Sequence, residues 1–106
     1  MGDTLTGACG CGAVRFEVTR PLVSAGYCHC TRCQRRTGTA ASANAGLPPG
    51  SLRIVAGEEL VRSYQPPDGF AKLFCAECGG ALFSRTPEGT LAGVRLGALD
   101  PGHGLR

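Results

Sequence analysis

FAKLFCAECGGALFSR, residues 70–85, has a short apolar run on either side of C-x-x-C-G. An apolar strand, a cysteine pair with glycines at the turn, and a second apolar strand make the hairpin that grips a metal ion with two sulfurs. Two sulfurs do not complete a tetrahedral site, so Cys75 and Cys78 need a second pair elsewhere. The remaining cysteines are at 9, 11, 28, 30 and 33, in two tight groups. Cys9-x-Cys11 is a pair, whereas Cys28, Cys30 and Cys33 already form a triple. The spacing therefore predicts a closed structural zinc site of Cys9, Cys11, Cys75 and Cys78. It also predicts a second zinc on Cys28, Cys30 and Cys33, with its fourth position left for water, substrate or another side chain. Catalytic zinc sites keep such a position open.

The strands around these motifs follow from patterning. In AVRFEVTR (13–20), Val14, Phe16 and Val18 alternate with polar residues, the period-two pattern of a half-buried strand. TLTGAC precedes it and GCG turns between them, which places Cys9 and Cys11 at a hairpin tip. LVSAGYC (22–28), ASANAGL (41–47), SLRIVAG (51–57), GEELVRSYQ (57–65) and TLAGVRLGALD (90–100) read as further strands. Pro48-Pro49-Gly50 and Pro66-Pro67-Asp68-Gly69 separate several of them. Thr31–Thr37 predicts one short helical turn that Gly38 stops. Many short strands with regular turn signals predict an all-β fold. At 106 residues with 17 glycines, no tryptophan and 6% aromatics, one small domain (1–106) is expected, short of large core side chains and in need of cross-links.

Charge and targeting narrow the function. No apolar run approaches the roughly 20 residues of a membrane span. The N-terminus lacks a basic segment followed by an apolar one, so a cytoplasmic protein is expected. Gly2 and Thr6 fit a loose myristoylation pattern, without the second signal that stable anchoring needs. Seven cysteines in a reducing compartment favour metal over disulfides. The formal charge is +3. Seven thiolates would subtract seven and two zinc ions add four, leaving zero, so the apparent basicity vanishes with metal bound. With no aromatic platform among the arginines, nucleic acid is not an expected partner. Arg32, Arg35 and Arg36 lie beside the cysteine triple in sequence and are expected either to offset its charge or to contact an anionic substrate. His29, between two ligands on an extended segment, should point away from both. His103, in a Gly-rich tail, is expected to be solvated.

Taken together, GACGCGAVRF (7–16), CHCTRCQRRTG (28–38), FCAECGGALFSR (74–85) and VRLGALDP (94–101) resemble the glutathione-dependent formaldehyde-activating enzymes, a family that takes in centromere protein V. The resemblance spans nearly the whole chain and includes all seven cysteines. It implies a β-tent of small antiparallel sheets stapled by zinc–cysteine sites. It also implies a carbon–sulfur lyase type of activity, in which glutathione and formaldehyde give S-hydroxymethylglutathione at the zinc of Cys28, Cys30 and Cys33. A non-catalytic glutathione carrier and a zinc-stapled interaction module are the alternatives. Family chains continue past the Leu99-Asp100-Pro101 segment with another strand, so this sequence, ending at Arg106, is expected to be a short or trimmed member.

Overall fold

Alternation in RFEVT produces the strand on which the smaller of two sheets is built. A computed structural model describes residues 4–19 and 22–101. Strand β1 (Thr4–Ala8) and strand β2 (Arg15–Thr19) form an antiparallel hairpin, with Leu5 opposite Val18 and Gly7 opposite Phe16. Phe16 and Val18 are buried while Arg15 and Thr19 are exposed, as the period-two pattern requires. The other edge of β2 pairs with β5 (Leu52–Ala56), completing a three-stranded sheet.

The second sheet has six antiparallel strands. In addition to β3 (Ser24–Cys28) and β4 (Ser42–Gly46), it contains β6 (Val61–Tyr64), β7 (Ala71–Cys75), β8 (Ala81–Arg85) and β9 (Leu91–Arg95). Their order is β3-β4-β9-β8-β7-β6, so the last strand in sequence is inserted at the centre, between β4 and β8. One helix, α1 (Thr31–Thr37), joins β3 to β4. Gly38 ends it in the left-handed conformation (φ 71°), where its amide donates to the Gln34 carbonyl. Among the described residues, no helix is long and apolar enough to cross a membrane. Gly2 and His103 lie outside the described residues.

The sheets meet face to face over one continuous core. Phe16 from the small sheet and Phe83 from β8 pack edge to face, with ring centroids 5.0 Å apart and planes at 87°. Val14, Val18, Leu82 and Val94 are fully buried around them. The all-β expectation holds, with antiparallel sheets throughout and one short helix.

Two segments expected as single strands are each divided. Within 57–65, a 3₁₀ turn (Glu58–Leu60) comes before β6, because Gly57 enters in the left-handed region at φ 78°. Within 90–100, β9 ends at Arg95 and a 3₁₀ turn covers Leu96–Ala98. The chain then returns to β1, where the Asp100 amide donates to the Thr6 carbonyl at 2.8 Å. A Cβ at Gly57 would lie 2.2 Å from the Ala13 carbonyl oxygen, and its backbone sits where an L side chain is strained. Gly57→Ala should therefore lower stability by roughly 1–3 kcal/mol. Chemical denaturation of the two proteins measures this, and an unchanged midpoint would refute it.

Candidate metal centre

Tight turns bring four of the cysteines together. In the β1–β2 turn, the Cys9 amide donates to Val14 and the Gly12 amide to Cys9, both at 3.0 Å. In the β7–β8 turn, the Gly79 amide donates to the Cys75 carbonyl at 2.8 Å, and Gly79 adopts φ 75°. The two tips touch. A Cβ at Gly80 would lie 3.3 Å from the Gly10 nitrogen and 3.4 Å from the Cys78 sulfur.

The Sγ atoms of Cys9, Cys11, Cys75 and Cys78 all lie within 4.8 Å of one another. Cys9 and Cys11 are 3.6 Å apart, Cys11 and Cys75 4.0 Å. A tetrahedral ion with metal–sulfur bonds of about 2.3 Å has sulfur–sulfur edges of about 3.8 Å. The cluster thus has the size and donor chemistry of a four-sulfur metal site. Amides steady the two buried sulfurs, with Val14 donating to Cys9 Sγ at 3.3 Å and Glu77 to Cys75 Sγ at 3.4 Å. Burial alone would raise the Cys9 thiol, but the Val14 amide and the neighbouring thiols outweigh it and hold Cys9 at about 6. At Cys11 the Ala13 amide favours the thiolate. The hydrogen bond with Cys9, helped by burial and the other thiols, opposes that, and Cys11 is pushed up to about 11. Four sulfurs this close cannot all ionise without a cation between them.

The triple is built differently. Cys28 ends β3, an edge strand whose other residues are exposed, and Cys30 caps α1. The Cys30 sulfur accepts from the Cys33 amide at 3.4 Å and lies 3.6 Å from the Cys28 sulfur. All three sulfurs lie within 4.8 Å of one another, and Cys33 is buried. The Cys33 amide, helped by the adjoining thiols and Arg32, lowers Cys30 to about 7. Burial, reinforced by Cys28 and Cys30, raises Cys33. Three sulfurs within reach of one ion leave the fourth tetrahedral position free. Both clusters could hold metal ions.

Beside the triple lies a cleft of about 450 Å³. Arg32 and Arg36 line it, and Arg32 is also paired with Asp68. Arg35 does not; it is exposed and faces a separate groove beside Tyr64. His29 is exposed, lies outside both thiol groups, and has its ring 6.4 Å from that of Tyr27. Lys72 and Arg95 also line the cleft, and sequence reasoning missed both. Arg95 lies within the apolar run Val94-Arg95-Leu96. That run is the one signal that could have marked it as buried. Burial, with Arg36 nearby, lowers the Arg95 guanidinium to about 10.

Three comparisons bear on this arrangement. Residues 4–106 match the family model described as glutathione-dependent formaldehyde-activating enzyme. A Halomonas elongata protein, provisionally named for the same family, is 33% identical over 90 residues, covering 79% of this chain. The chain spans 57% of the length of that curated relative over the matched region. A crystal structure of a Rhodobacter sphaeroides protein superposes with a TM-score of 0.68 at 32% identity, covering 93% of this chain and 91% of that one.

Proposed function

The chain belongs to the glutathione-dependent formaldehyde-activating enzyme family, and from that membership we propose that it is a zinc-binding carbon–sulfur lyase-type enzyme acting on glutathione or related thiol adducts. The observation that carries the proposal is the convergence of Cys28, Cys30 and Cys33 on one side of a cation-lined cleft. Cys9, Cys11, Cys75 and Cys78 would hold a structural zinc, and the triple a second. A zinc held by the triple would supply a positive charge favouring the deprotonated form of an incoming thiol at neutral pH.

The protein's own residues do the rest. The three cysteines fix the position of that charge, and the Cys33 amide holds Cys30 in place as a donor. Arg32 and Arg36 line the approach and favour an anionic thiol over a neutral one. In the forward direction the thiol sulfur bonds to the formaldehyde carbon and the carbonyl oxygen takes up a proton. The reverse reaction breaks the same carbon–sulfur bond.

Zinc-loaded protein should form S-hydroxymethylglutathione faster than the spontaneous rate, and Cys30→Ser should remove the whole gain. The adduct is followed by NMR. No acceleration at saturating zinc would exclude this activity. Calorimetric glutathione binding without turnover would point instead to a thiol carrier, which the same cleft would serve.

A further inference from the structure

The wall of the cleft carries more positive charge than three thiolates and their metal can balance. Arg95, on β9, is only 7% exposed. Its Nη2 donates to Ser84 Oγ at 2.7 Å, while its buried Nε has no partner. Arg36 also has buried Nε and Nη2 atoms without a hydrogen-bond partner, and its guanidinium lies close enough to Cys33 to favour the thiolate there. Lys72, from β7, is half-buried in the same cleft. Among the described residues, no Asp or Glu lines this cleft, and the exposed Asp68 is already held by Arg32. With zinc bound, the thiolate centre contributes one net negative charge and Asp68 another. Arg32, Arg36, Lys72 and Arg95 then keep two positive charges unmatched. Burying guanidinium donors without an anion is costly, so their gathering around one cleft calls for a ligand that supplies one.

We infer that Arg36, Lys72 and Arg95 form an oxyanion subsite that takes the carboxylate of a small thiol acid whose sulfur goes to Cys28, Cys30 and Cys33. The inference rests on the thiol reading above and extends it, because it selects among thiols by their acid group. Ser84 fixes the Arg95 guanidinium and leaves its Nε free to donate. A guanidinium from β9 and an ammonium from β7, the two strands that flank Ser84 on β8, can share a planar carboxylate. A neutral thiol of the same size would reach the metal but leave these donors unpaired.

The test titrates the zinc-loaded full chain, by calorimetry, with 3-mercaptopropionate and with 2-mercaptoethanol. These are small thiols of which only the first carries a carboxylate. The acid should bind about tenfold tighter or better, the worth of one or two charge-assisted hydrogen bonds. Lys72→Met and Arg95→Met should shrink that advantage to about twofold or less, leaving 2-mercaptoethanol affinity unchanged. Inorganic phosphate should compete with the acid. Zinc content and far-UV circular dichroism check that each variant folds. If Arg95→Met does not, Arg95→Lys and Lys72→Met carry the test. Equal binding of the two thiols, an advantage that survives both substitutions, or phosphate that does not compete would each overturn the subsite. A glutathione titration separates the two readings. If glutathione fails to bind while the thiol acid keeps its advantage, the glutathione reading falls and the subsite stands.

Discussion

Replacing Cys75 by serine should abolish cooperative unfolding of the chain, and stripping metal from the four-cysteine cluster should do the same. Cys75 is fully buried at the end of β7, and its sulfur lies 4.0 Å from that of Cys11 on the other hairpin. A four-thiolate zinc contributes on the order of 10 kcal/mol or more to folding in small domains. Total stability is commonly about 5–15 kcal/mol. The chain has few large side chains with which to offset such a loss. Without a cation, buried thiols at these separations also repel each other once ionised. Thermal melts by circular dichroism, with and without chelator, give the readout. Zinc added back should restore the transition in the wild type and not in Cys75→Ser. A metal-free wild type that melts cooperatively at the holo temperature would refute the structural role.

Phe83→Ala should cost the zinc-loaded protein about 3–5 kcal/mol. Phe83 is fully buried on β8, opposite Leu73 on one neighbouring strand and Val94 on the other. It meets Phe16 edge to face, so its removal opens a cavity at the seam between the sheets. Phe16→Ala should cost a similar amount. The double variant should lose less than the two single losses added together, because the same contact is removed in each. The rings' own interaction accounts for about 1 kcal/mol of that difference. Urea titration of the four proteins at saturating zinc measures all these terms. Strict additivity would mean that the two rings do not couple.

Residues whose local pattern and final environment agree were legible in the sequence. β2 alternates because one face is buried, GCG turns because Gly12 must take a positive φ, and Gly38 stops α1 for the same reason. The division of the cysteines into four and three follows from spacing, and their sulfurs gather in those same groups. Lys72 and Arg95 were not legible. On a strand, a charged residue between apolar ones normally turns its charge to solvent. The face of β9 away from the core instead borders a cleft shared with Cys33 and Arg36. Only the order of strands, which brings β9 between β4 and β8, creates that environment. Arg35 is the opposite case. It is next to Arg36 in sequence, but a helix turns successive residues by about 100°, and only one of the two faces the cleft.

The four-sulfur cluster joins Cys11 to Cys75 across 64 positions, whereas the three-sulfur cluster is drawn from six consecutive residues. A ribosome adds roughly 5–20 residues per second. Cys28, Cys30 and Cys33 have therefore been synthesised roughly 2–9 seconds before Cys78 is added. During that interval Cys9 and Cys11 offer half a binding site, while the triple already offers all its sulfurs. Newly made chains would then take up their first zinc at the proposed reactive centre and gain their architectural one last. Zinc supply during translation, as well as the stability of the finished protein, would govern how many molecules are completed.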